Sequence, residues 1–163
     1  MTKGKGYPDI LTRAFLRRLS TITLHSNQIR PPIFALLDFD PYGIAILSTY
    51  KHGSIQLAHE NAHINVPSIR WLGLKSADLR SENSAEEEQG LLGLTARDRR
   101  LARKMLERPI FAVDGPGKEW RRELQVMLML NMKAEIQLLS GREGGLEIWL
   151  DNKLLTELSP VEK

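Results

Sequence analysis

Asp38 and Asp40 stand two residues apart where an apolar run, Pro32-Ile33-Phe34-Ala35-Leu36-Leu37, gives way to Pro41-Tyr42-Gly43. A short apolar run bounded by Pro-Pro and by turn residues reads as a buried central strand. Acids where such a strand feeds a helix lie at the carboxyl edge of the sheet, the edge at which open α/β folds hold ligands. Carboxylates beside an apolar strand are costly unless something compensates them. A divalent cation is one such partner, and Mg²⁺ in particular accepts one or two protein carboxylates while keeping positions for water and substrate phosphate. The same residues also suit a plainer role. Asp-Pro and Pro-x-Gly are ordinary turn chemistry, and an Asp ahead of a helix is an ordinary N-cap. The motif alone leaves both readings open.

Three other groups of residues carry chemical potential. Lys3 and Lys5 alternate with glycines ahead of Pro8, and exposed N–H groups with two ammonium groups would suit a phosphate oxygen. Arg99, Arg100, Arg103 and Lys104 cluster in one predicted helix, as a solvated face or as a patch facing DNA. His59 and His63 flank Glu60, but no third ligand pattern follows, so they read as polar surface.

The elements that must position these residues follow from pattern and punctuation. A helix is expected over 9–24, with Arg13, Arg17 and Arg18 on its polar side and Pro31-Pro32 blocking its continuation. The central strand leads into a helix over 43–50 that stops near His52-Gly53-Ser54, and Pro67 to Leu74 reads as a second strand ended by Gly73. Residues 75–93 are expected to be an exposed acidic insertion, rich in Ser and Glu. Thr95 and Asp98 form a capping box for a helix over 96–108 that buries Leu101, Met105 and Leu106, and Pro109 ends it. The longest helix is expected over 118–139, with Trp120, Leu124, Met127, Leu128 and Ile136 at apolar spacing and Gly141 as its stop. A last helix covers 146–158.

Composition bounds the function. The 163 residues suit one domain, with 42% hydrophobic and 26% charged residues. No run approaches 18 apolar residues, and the first residues lack the apolar core of a signal peptide, so no membrane partner is expected and an intracellular protein is. Zero cysteines exclude disulfides and thiolate metal sites. A net charge of +3 permits contact with a phosphate backbone without requiring it.

Five blocks, in order, carry a family resemblance: GKGYPDILTR within 3–13, LLDFDPYGIAILSTYKHGS at 36–54, VPSIRWLGL at 66–74, LTARDRRLARKMLER at 94–108 and EWRRELQVMLMLNMKAEIQLL at 119–139. Together they resemble the Toprim domain of the topoisomerase VI A-subunit family, and most of all its eukaryotic meiotic double-strand-break branch. Each block alone is weak; the ordered set is specific. The resemblance implies an α/β fold, a Rossmann-like sheet with helices on both faces and without its first strand, as one domain over 1–163. It implies Mg²⁺ at Asp38 and Asp40, double-stranded DNA as partner, a homodimer, a nuclear location and a topoisomerase VI B-like subunit. It also implies breakage by transesterification, in which a tyrosine on a winged-helix domain attacks the phosphodiester and stays joined to the 5′ end.

The departures are equally specific. Tyr7, Tyr42 and Tyr50 lie inside Toprim-like blocks and none matches that nucleophile. The third metal acid, a Glu on the first strand, has no match either, and Asp9, Glu60 and Asp114 do not take its role. This chain by itself is therefore expected to bind metal and DNA but not to cut. Two other classes compete. A haloacid-dehalogenase-type phosphatase would use Asp38 as its nucleophile, although Tyr42 stands near where a Thr is expected. A non-catalytic remnant would dimerise or bind a partner through the 118–139 helix.

Overall fold

The computed structural model describes residues 8–23, 30–54, 61–79, 90–141 and 144–159, which divide into two compact units. One comprises residues up to Ala35 together with Tyr42–Trp71; the other comprises Leu36–Pro41 and Leu72 onward. The acidic motif thus belongs to the second unit although its neighbours on both sides in the chain belong to the first.

In the first unit, α1 runs Ile10–Thr21 and β1 is Phe34–Ala35. The helix α2 runs Pro41–His52, α3 is Asn61–Ile64 and β2 is Arg70–Trp71. Asp9 caps α1: its carboxylate accepts the Thr12 N–H at 2.7 Å and the Thr12 hydroxyl at 2.9 Å. The helix ends three residues earlier than expected, with Ile22 already extended. Strands β1 and β2 pair in parallel, Phe34 opposite Arg70 and Ala35 opposite Trp71, with α2 between them in sequence. Ile44, Leu47, Val66, Ile69 and Trp71 form the core. Arg13, expected on a polar helix face, is fully buried and donates to Asn65 Oδ1 at 2.7 Å. Gly53 takes φ 92° just after α2, at the stop expected there.

In the second unit, β3 is Leu91–Gly93, α4 Ala96–Leu106, α5 Lys118–Leu130, β4 Met132–Ala134 and α6 Gly145–Leu158. Strands β3 and β4 are antiparallel, and Ala134 also bridges to Phe39. The core gathers Phe39, Leu74, Met105, Phe111, Leu124 and Met127.

Two expectations need correction here. Residues 75–93 are not all insertion. Ser76–Leu79 forms a 3₁₀ turn whose Ser76 N–H is accepted by the buried Glu123 carboxylate at 2.7 Å, while Lys75 pairs with Glu119 and Asp78 with Lys153. Leu91–Gly93 is a paired strand, and 80–89 lies outside the described residues. Nor does one helix run over 118–139. Asn131 adopts the left-handed region at φ 51°, which Asn tolerates better than most residues, and closes α5 with its N–H on Met127 O. The chain then pairs with β3 as β4 and finishes as a 3₁₀ helix, Ile136–Gly141. At 14 residues α6 is longer than α5, which has 13. No described helix is long and apolar enough to cross a membrane.

Candidate metal centre and nucleic-acid interface

Phe39 fixes the acidic motif. Its ring is fully buried, and its backbone exchanges two hydrogen bonds with Ala134, Phe39 N to Ala134 O at 2.9 Å and Ala134 N to Phe39 O at 3.0 Å. Asp38 and Asp40 flank this buried residue, Asp38 exposed and Asp40 half-buried at the bend that enters α2. Two further bonds brace the segment: Leu74 N–H donates to Leu37 O at 3.0 Å, and Ile136 N–H donates to Asp38 Oδ1 at 2.8 Å. Gly73 permits that close approach, because a Cβ there would overlap the backbone of Leu37. The tie between Asp38 and Ile136 spans 98 positions and has no signal in the sequence.

This donor set fits Mg²⁺. Two carboxylates two residues apart match the number of protein carboxylates that the ion takes, and one N–H bond leaves Asp38 with acceptor capacity. Among the described residues no group of three His, Cys, Asp or Glu side chains gathers into a metal cluster. His63 is exposed at the end of α3, and His59 and Glu60 lie outside the described residues.

Of the proposed backbone contacts, Lys3 and Lys5 lie outside the described residues. Arg99, Arg100, Arg103 and Lys104 do come together, lining with Ala96 and Glu107 an open groove of about 510 Å³ along α4. They are not equivalent. Arg100, Arg103 and Lys104 are exposed. Arg99 is half-buried and donates to Leu94 O and to Asn131 Oδ1, so it ties the start of α4 to the end of α5. The opposite face of α4 buries Ala102 and Met105. Asp98 is buried too: its carboxylate accepts the Thr95 N–H in the expected capping box and pairs with Lys133 at 3.0 Å. Burial pushes this carboxyl up, but the bonds from the Thr95 backbone, Lys133 and the Thr95 hydroxyl outweigh it and hold it below the usual carboxylate range.

Comparison with known proteins bears on the same residues. The family described as the Toprim domain of the topoisomerase 6 A subunit and Spo11 matches residues 1–154. The chain is 44% identical over 138 residues to the rice meiotic recombination protein SPO11-1, an alignment covering 85% of this chain and 34% of the rice protein. It is 38% identical over 156 residues to the human meiotic recombination protein SPO11, covering 94% of this chain and 37% of the human one. It is 38% identical over 153 residues to the A subunit of DNA topoisomerase 6 from Arabidopsis thaliana, covering 93% and 33%. The chain therefore spans about a third of the length of these relatives. With that match over nearly its whole length, and with its mixed α/β structure, the chain belongs to the Toprim family of Spo11 and the topoisomerase 6 A subunit.

Proposed function

We propose that this chain is the Mg²⁺-binding, DNA-contacting Toprim portion of a type IIB topoisomerase A-subunit-like protein that breaks both DNA strands to initiate meiotic recombination. The observation that supports the proposal is that Asp38 and Asp40 flank buried Phe39, whose backbone is held by two hydrogen bonds to Ala134. The names of the relatives, meiotic recombination protein and topoisomerase subunit, supply the process. Asp38 and Asp40 would hold the ion, which would steady the negative phosphate and the leaving 3′ oxygen. In the complete reaction a tyrosine oxygen attacks phosphorus, the bond to the 3′ oxygen breaks, and the 5′ phosphate stays on the tyrosine. No tyrosine of this chain is assigned that attack. Arg100, Arg103 and Lys104, with Lys3 and Lys5, contact backbone phosphates; a homodimer, a nuclear setting and a B-like subunit complete the reading. Titrating labelled duplex DNA with and without Mg²⁺ tests it. Binding should strengthen with Mg²⁺ and lose that response in Asp38→Asn and Asp40→Asn. An unchanged response in both variants, or cleavage by this chain alone, overturns it.

A second reading rests on a different observation. Met129 and Leu130, at the end of α5, are 76% and 51% exposed. Large apolar side chains so placed suit a non-catalytic dimerising or partner-binding role. Such a protein would form a stable oligomer without any metal response.

A further inference from the structure

The first unit holds a second basic groove that the acidic motif does not use. It measures about 590 Å³ and is lined by Arg17, Arg30 and Arg70, with Ser20, Thr21 and Ser68, and by three prolines. The three arginines come from three separate stretches of chain: the last turns of α1, the residues ahead of β1, and the start of β2. Among the described residues no carboxylate lines this groove. Three arginines lining one groove make a local positive field, which an anion in the groove would answer.

Local structure sharpens that field. The Arg70 guanidinium lies 4.5 Å over the Phe34 ring. Stacking engages its flat face, and the fork of N–H groups lies at its edge, in the geometry that matches a phosphate. A helix carboxyl end would ordinarily oppose an anion. Here the Ser20 hydroxyl donates to Arg17 O at 2.7 Å and the Thr21 hydroxyl to Arg18 O at 2.8 Å, which blunts the negative end of α1. Because β1 and β2 are parallel and the groove gathers residues that precede or begin each, it lies at the amino edge of the pair. Asp38 and Asp40 belong to the other unit, and neither lines this groove.

We infer that this groove is a second phosphate-binding surface, and that it takes the phosphodiester backbone of a nucleic acid. An open groove larger than one phosphate could fill, with cations contributed from separate segments, fits a row of phosphates better than a single small anion. Such contacts fix position and are blind to sequence. The inference rests on the reading of this chain as DNA-contacting, and its test separates the two.

The test is the salt dependence of duplex DNA binding by the full chain. Each phosphate neutralised contributes about 0.9 to the slope of log affinity against log salt. Arg17→Ala/Arg30→Ala should reduce that slope by about two, and Arg30→Ala alone, at an exposed position where folding is not at stake, by about one. Thermal melting confirms that each variant is folded. An unchanged slope in folded Arg30→Ala and in the double variant overturns the groove while leaving DNA binding elsewhere intact. Absence of DNA binding by the unmodified chain overturns both readings. Inorganic phosphate that perturbs the resonances of the groove residues, with no effect of the variants on DNA binding, would assign the groove to a small anion and overturn the nucleic-acid inference.

Discussion

Asp98 illustrates how one side chain serves two structures. It completes the cap of α4 and receives Lys133 from β4, both in a buried setting. Its carboxyl is lowered in the folded protein, so the unfolded chain binds the proton more readily. The stabilisation is therefore full above the unfolded value of about 3.9 and is lost as pH falls through the lower folded value. Urea melts across that range should show the native protein losing its advantage over Asp98→Asn as the solution becomes acidic. A constant difference would contradict the assignment. Asp98→Ala, which removes the cap and strands a half-buried Lys133, should cost about 2 kcal/mol in the same melts. At this scale the sequence was informative where chemistry is local. The capping box needs only spacing, and Thr95 and Asp98 form it. The sequence misplaced Arg13 and Arg99, set on solvent-facing sides of helices, because a charged side chain in a helical pattern is assigned to solvent until a distant partner is known. It did not bring Arg17, Arg30 and Arg70 together, because they come from separate stretches. Asn65 lies 52 positions from Arg13, and Asn131 lies 32 positions from Arg99.

Among the elements, the end of α5 decides how the second unit is built. Apolar periodicity continues past Leu130 to Ile136 and Leu139, so a single helix fits the pattern. What breaks it is strand pairing. Leu91–Gly93 supplies a partner for Met132–Ala134, and Asn131 supplies the left-handed turn between α5 and β4. Short strands carry too few residues for a period of two to stand out, which is why both were missed while α4, α2 and α6 were legible within a few residues. The turn makes a quantitative prediction. Asn131→Ala loses left-handed tolerance and the Arg99 hydrogen bond, and should cost about 2 kcal/mol; Asn131→Gly keeps the backbone freedom and should cost about 1 kcal/mol. Equal losses in denaturant melts would show that the left-handed conformation is not what matters. Gly73 makes the second case. A side chain there collides with the Leu37 backbone, so Gly73→Ala should destabilise by about 3 kcal/mol and disturb the segment that carries Asp38. A variant as stable as the native chain would remove Gly73 from the support of the site.

At the scale of the whole molecule, Leu36–Pro41 crosses from one compact unit to the other and back, carrying both acids. Each unit also bears a basic groove, along α4 in one and beside Arg17, Arg30 and Arg70 in the other. A net charge of only +3 hides this arrangement, since 20 acidic residues offset 23 basic ones in any sum over the chain. Family membership was legible because five ordered blocks carry it, whereas the division into units was not, because it depends on which segments pack together. Exposed Met129 and Leu130 lead to one further expectation, that the 18.5 kDa chain forms dimers in light scattering and that Met129→Asp/Leu130→Asp shifts it to monomers. A native monomer would contradict it. The most direct measurement concerns the acids themselves: paramagnetic broadening of backbone amide resonances by Mn²⁺, with Mg²⁺ as competitor. Signals of Asp38, Phe39, Asp40 and Ile136 should broaden first, recover on adding Mg²⁺, and stay sharp in Asp38→Asn/Asp40→Asn. Broadening centred elsewhere, or undiminished in that double variant, would contradict a metal centre at Asp38 and Asp40.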